Sequence, residues 1–327
     1  MIKQIMKILA VFSFLLVLST TANAQDPAFS QFYANPVYLN PAFAGAISNG
    51  CNRVSLNYRD QWPGIGRTFV TSTASYDTRI GQSGLSGRFL NDRSGSGSLA
   101  LNTFSVAYAY HLQVNRKFNI NFSLEPAIRT ISLDWSKLTF GDQIDPKYGF
   151  IYPTQEDIDN NATGVGFFDI NAGILGYGEY WYVGFAAHHL TQPNQGFISE
   201  SQLPRKYTIH MGGNIPLSRY RNSVTTISPN FLYQKQKEFQ QFNYGVYVNK
   251  GPIVGGLWAR HSVKNVDSFI LMVGLIQDAF KFGYSYDITL SNLKNSNTLG
   301  AHELSFTLFM PCRSRSKSFN TISCPSF

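Results

Sequence analysis

Lys117 to Glu125 reads KFNINFSLE. Phe118, Ile120, Phe122 and Leu124 alternate with Asn119, Asn121, Ser123 and Glu125. Successive side chains of a strand point to opposite faces, so this is a strand with one apolar and one polar face. Working outward, the same period recurs near the end of the chain. Phe280, Phe282, Tyr284, Tyr286 and Ile288 alternate with Lys281, Gly283, Ser285, Asp287 and Thr289. Leu304, Phe306, Leu308 and Met310 alternate with Glu303, Ser305 and Thr307. A soluble sandwich turns such apolar faces to a shared core. A membrane barrel turns them to lipid and the polar faces to its lumen. Length separates the two: many segments run ~10 residues, as a tilted transmembrane strand needs, whereas sandwich strands are usually ~5–6.

Strands are predicted near 51–59, 67–77, 84–90, 100–113, 117–132, 165–176, 180–190, 205–216, 222–234, 239–248, 252–262, 266–276, 280–290 and 301–310. Their connections mostly alternate between short (QVN, YGE, NKG, QDA) and longer (RDQWPGIGR, NDRSGSGS, 133–164, 191–204, SNLKNSNTLG), with two, around 235–238 and 263–265, short on the long side. Short periplasmic turns and longer external loops are the mark of an outer-membrane barrel. The expected fold is therefore an all-β transmembrane antiparallel barrel of about fourteen strands. Twelve remains open, because 67–90 alternates poorly. Tyr180, Trp181, Tyr182, Tyr233, Trp258 and Tyr286 are expected at interfacial girdles, although aromatics also favour strands anyway.

Composition agrees. Of 327 residues, 43% are hydrophobic, 15% aromatic and 14% charged, against about 25% charged in soluble proteins. The apolar residues are concentrated only at Ile8 to Leu18, after Lys3 and Lys7 and before Ala22-Asn23-Ala24. That is a signal peptide over residues 1–24, too short to span a bilayer well. A retained anchor helix is the alternative. Cleavage leaves Gln25 first, not the Cys of a lipoprotein. It also removes two positive charges from the +8 of the whole chain. The remainder are scattered, which argues against nucleic acid. Of the three cysteines, Cys312 and Cys324 could pair and leave Cys51 over, or all three could be free thiols.

Residues 25–50 cannot join the sheet. Pro27, Pro36 and Pro41 lack the N–H a ladder needs. Asn35-Pro36 and Asn40-Pro41 instead start tight turns or single-turn helices, with Asn as cap and Pro at the first helical position. Phe32, Tyr33, Tyr38 and Phe43 must then be buried, which points to a plug entering a barrel lumen (residues 51–311) from the periplasmic side. The stretch QDPAFSQFYANPVYLNPAFAGA resembles the opening of the PorP/SprF family of the type IX secretion system in Bacteroidota. The likeness continues in order through NYRDQWPG, FLNDRSG, AYAYHL, HHLTQPN, LPRKYTIHMGG, GGLWAR and FGYSYDITLSNL…GAHELSF. One departure is Ala259 in GGLWAR, where an aromatic is expected. The resemblance implies an outer-membrane component that supports export, delivery or surface anchoring of large adhesin-like proteins, including gliding adhesins, with type B C-terminal domains. It also implies partners among the periplasmic and lipoprotein parts of that machine.

No catalytic constellation is legible. The histidines lack zinc-ligand spacing, His188 and His189 should point to opposite faces, and no nucleophile elbow, phosphate loop or dinucleotide fingerprint occurs. No cofactor, metal or enzymatic activity is expected. Glu125, Arg129, Lys281, Asp287 and Glu303 are expected as lumen charges, forming an ion-pair network around the plug. Asp142, Asp145 and Asp157 in the longest loop, and Gln192, Pro193 and Asn194 in the next, are candidate cargo contacts, since loops on a rigid scaffold carry such work. Arg313, Arg315 and Lys317 in a basic tail (312–327) are candidate contacts in the periplasm, where both termini are expected. The alternative function is a FadL-like or porin-like conduit for small molecules.

Overall fold

The computed structural model describes residues 26–47, 51–65, 69–95, 98–154, 164–197, 200–220, 223–263, 266–290 and 298–311. The expected signal peptide, Asp157, the other two cysteines and the basic tail lie outside these residues. Alternating sequence becomes alternating burial. Phe122 and Leu124 are 44% and 59% exposed while Asn121 and Glu125 are fully buried. An exposed apolar face around a buried polar one is the inverse of a soluble protein. No helix among the described residues is long and apolar enough to cross a membrane.

The strands are β1 (Asn52–Gln61), β2 (Phe69–Ile80), β3 (Ser83–Ser94), β4 (Leu99–Gln113) and β5 (Asn119–Leu133). A small hairpin, β6 (Ile144–Asp145) and β7 (Gly149–Phe150), sits inside the longest connection. β8 (Gly164–Tyr177) and β9 (Trp181–His188) follow, then β10 (Lys206–Gly213), β11 (Ile215–Tyr220) and β12 (Ser223–Gln236). β13 (Phe239–Lys250), β14 (Ile253–Ser262), β15 (Val266–Ile276), β16 (Phe280–Thr289) and β17 (Ala301–Met310) complete the chain. Every neighbouring pair is antiparallel. β1 closes on β17 with Asn52 opposite Met310 and Gln61 opposite Ala301. β10 and β11 both pair with β12, so they are two halves of one strand. The break falls at Asn214, whose N–H goes to Tyr180 O at 2.8 Å and whose side chain accepts from Ser228. The ring is a closed 14-strand barrel, which resolves the choice between twelve and fourteen. The poorly alternating 67–90 region forms two full strands because its inward positions carry small polar residues, Thr71, Thr73, Ser75 and Ser86.

The N-terminal segment lies within the ring. Its turns are Phe32–Ala34, Pro36–Leu39 and Pro41–Phe43, the last two with proline in the first turn. Asn40 caps as expected, accepting from Ala42 N at 2.9 Å. Asn35 does not; its amide reaches out to Thr73 Oγ1 at 2.8 Å. Phe32, Tyr33, Leu39 and Phe43 pack on an apolar stripe of inner wall that includes Tyr182, Leu232, Tyr247, Trp258, Ile270 and Met272. Tyr182 and Trp258 therefore belong to no lipid-facing girdle. Each is 2% exposed and points inward, Trp258 at 5.4 Å from the Phe32 ring and Tyr182 at 5.6 Å from the Tyr33 ring. Burying each such aromatic contributes about 1.5–3 kcal/mol.

Cys51 is disulfide-bonded. With three cysteines in the chain, neither a Cys312–Cys324 pair with Cys51 left over nor three free thiols describes the molecule. Cys51 begins the barrel, its N–H bound to Met310 O at 3.1 Å.

Candidate functional site

The segment runs through the lumen with its two ends at opposite halves. Asp26 meets residues at the long-loop ends of the strands: Arg129 on β5, His189 just past β9 and Lys206 on β10. Asp26 Oδ2 lies 2.6 Å from His189 Nε2, Asp26 Oδ1 accepts from Arg129 at 3.3 Å, and Lys206 Nζ is 3.9 Å away. Asp26 N–H goes to Gln236 Oε1 at 3.2 Å. At the other end, Gly45 N–H reaches Asp77 Oδ2 at 3.0 Å, and His111 Nε2 is 3.0 Å from Ala44 O. Both partners sit near the short turns. A Cβ at Gly84 would collide with Ala44 O, so β3 and the segment touch backbone to backbone there.

Between the ends, three ion-pair groups face the segment. Arg53 holds Asp77 through two bonds of 2.8 and 2.9 Å and donates to Phe43 O. Arg59 bridges Asp287 at 3.0 Å and Glu303 at 3.2 Å, and Arg260 meets Asp287 at 2.9 Å. These carboxylates grip the segment directly. Glu303 accepts from Ser30 N (2.6 Å) and Gln31 N (3.1 Å), and Asp287 accepts from Ser30 Oγ (2.7 Å). Glu125 accepts from Arg88 at 2.6 Å, Ser105 at 2.6 Å and Asn171 at 3.0 Å. Arg88 and Lys206 each lie 5.3 Å from the Tyr38 ring centroid. Tyr38 is thus held between two cations, with its hydroxyl donating to Pro27 O at 2.5 Å.

Of the expected lumen charges, Glu125, Arg129, Asp287 and Glu303 are buried inside. Glu125 and Arg129 share a face but not a bond. Lys281 places its Nζ over the Phe309 ring at 5.4 Å, near the short turns. Most counter-charges went unread: Arg53, Arg59, Arg88, Arg260, Asp26, Asp77 and Asp169. Parity carried the signal for Arg53 and Arg59, which alternate with Val54, Leu56 and Tyr58 on β1.

His188 and His189 do not point apart. Both are buried, because the strand ends at His188 and His189 adopts φ +59°, turning the ring back inward. Its Nδ1 meets Asp169 at 2.5 Å and its Nε2 meets Asp26 at 2.6 Å. With a carboxylate on each nitrogen, the imidazole has none left to act as a base. Among the described residues no cluster of His, Cys, Asp or Glu is arranged to hold a metal ion.

The loop candidates are built into their own loops. Asp145 accepts from Lys147 N (2.8 Å), Tyr148 N (2.9 Å) and Tyr152 Oη (3.2 Å). The Lys147 N–H foremost, with that of Tyr148, holds its carboxyl below the usual range. Asp142 accepts from Thr154 at 3.0 Å. Around these acids Tyr148, Phe150, Ile151 and Tyr152 stand exposed. In the next loop Asn194 Oδ1 accepts from Gly196 N and Ser201 N, Pro193 O from Leu203 N, and Gln192 N–H goes to His189 O.

Among solved structures, the chain is similar to the Ralstonia pickettii toluene transporter TbuX: 10% identity, 83% of this chain and 90% of that one, TM-score 0.44. It is also similar to a Pseudomonas aeruginosa FadL homologue: 11% identity, 82% of this chain and 92% of that one, TM-score 0.42. No curated protein matches the sequence. A family model described as "Type IX secretion system membrane protein PorP/SprF" matches residues 21–308. The chain belongs to that family, and it is an outer-membrane β-barrel of the type IX secretion system.

Proposed function

We propose that this barrel is a non-catalytic receiver that delivers or anchors a large exported surface protein, such as a gliding adhesin, through that protein's type B C-terminal domain. The observation that carries the reading is the lumen segment. A chain bonded to the wall from Asp26 to Gly45 leaves a scaffold rather than an open passage. The long loops then face the cell exterior and do the gripping, with the exposed apolar side chains of 148–152 and the Gln192–Asn194 turn as contacts. The start of the tail, beyond Met310, lies with the short turns on the periplasmic side, where Arg313, Arg315 and Lys317 meet the periplasmic and lipoprotein components. In this orientation Asp26 sits in the outer half of the lumen, not at the periplasmic mouth. The test is isolation of the tagged protein from its native outer membrane in mild detergent. A large surface protein in near-stoichiometric amount, lost from the cell surface when the barrel gene is deleted, supports the proposal. Solitary protein whose deletion impairs uptake of a small molecule contradicts it and favours the conduit.

A further inference from the structure

Between Asp26–Ala28 and the long-loop mouth lies a cavity of about 460 Å³, within the range of roughly 300–1,000 Å³ typical of small-molecule sites. The ion pairs and the cargo reading account for only part of its walls. They carry the amides of Gln61, Gln234, Gln236 and Gln241 together with Asp92 and Asp267. Arg59, Lys206 and Arg260 line it together with Asp26, Asp92, Asp267 and Asp287. The charges nearly cancel, and the guanidinium groups already hold carboxylates, so an anion finds no free cation. Four side chains of this wall keep a buried polar atom without a partner: Gln241 Oε1, Ser268 Oγ, Asp287 Oδ1 and Arg59 Nε. Such atoms are costly to leave unpaired.

The lip carries a second, independent feature. Trp62 adopts φ +59°, an outlier for a bulky residue and the kind of strain that collects at ligand sites. Its N–H is fixed on Gly300 O at 2.8 Å and its ring stands edge-on to Phe69 at 5.8 Å. An aromatic is thereby held at the mouth above a wall of planar amides.

The ligand must be neutral and must both donate and accept. It must be met by side chains alone, because a closed barrel offers no strand edge to a peptide backbone. Hydroxyls donate and accept at once. Vicinal hydroxyls match planar amides and carboxylates, and the C–H face of a sugar ring matches an indole. We propose that this cavity binds a neutral mono- or disaccharide unit, with Gln234 and Gln241 reading its hydroxyls and Trp62 its apolar face. The proposal stands whether or not the cargo reading holds.

The test is tryptophan fluorescence of the full chain in detergent, confirmed by calorimetry. The probes are maltose, cellobiose and diacetylchitobiose, with dextran to represent the end of a longer glycan. Digalacturonate and the blocked peptide acetyl-Gly-Ser-Gly-amide serve as controls. Saturable binding of at least one neutral disaccharide is expected. It should weaken about tenfold in Gln241→Ala, the loss of one good hydrogen bond. The signal should shrink in Trp62→Leu. Competition by dextran identifies a glycan end as the natural source, and its failure a free sugar. If Gln241→Ala does not retain the heat-resistant barrel form on gels, Gln234→Ala gives the same reading. Absence of saturation by every neutral saccharide, equal binding of the peptide or digalacturonate, or wild-type affinity in a folded glutamine variant overturns the proposal.

Discussion

Asn40 reaches into the barrel wall at a point where two strands carry no side chain. Its amide donates to Ile174 O at 3.1 Å and Phe185 O at 3.3 Å, and lies 3.0 Å from His210 Nε2. Those carbonyls are reachable because Gly173 and Gly184 stand beside them; a Cβ at Gly173 would collide with Asn40 Oδ1. Gly173→Ala is therefore expected to lower stability by about 1–3 kcal/mol through overpacking. Asn40→Ala in the same chain removes the colliding atom, so the double variant should lose less than the sum of the two single changes. Urea unfolding of the four proteins in detergent checks this; strict additivity would mean the two residues do not meet. Little at this scale was legible beforehand. Alternation identified Glu125, Asp287 and Glu303 as inward. It could not pair Glu125 with Arg88 or Asp287 with Arg260, because those partners are joined by the curvature of the wall rather than by spacing in the chain. His189 was misassigned for a related reason: one residue at positive φ reverses the parity on which the reading depended.

Elements were far more legible than sites. A period of two survives in any half-exposed strand, so strands and loop parity could be read from Lys117–Glu125 outward. The exceptions share one cause. Tyr182 and Trp258 look lipid-facing only if the lumen is polar throughout. A lumen filled by an aromatic segment has an apolar stripe of its own, and the sequence of a strand does not say what lies behind it. The Asn-Pro turns were readable because proline leaves few choices. The covalent tie at Cys51 was not, since spacing alone does not assign connectivity. It carries a direct expectation: unfolded without reductant, the chain should expose one thiol to alkylation, rising to three after reduction, given its three cysteines. Mass spectrometry decides this. Three reactive thiols before reduction would remove the tie from the account.

At the scale of the molecule, two opposed surfaces account for the design. The outer face is apolar because acyl chains are its solvent, and the closed ring leaves no unpaired edge in lipid. The inner face is charged, and buried charges cost heavily unless paired; removing one partner of such a pair typically costs about 3–5 kcal/mol. Here the pairs also hold a segment of the same chain, so wall and filling stabilise each other. Family membership gives the setting in the secretion system. The occupied lumen is what separates a docking scaffold from a conduit, and ion flow measures it most directly. In planar bilayers the full chain is predicted to be electrically silent, while a variant lacking residues 28–46, still migrating as a folded barrel on gels, is predicted to conduct in steady steps. Porin-like conductance by the full chain, or silence in the folded deletion, would contradict the account.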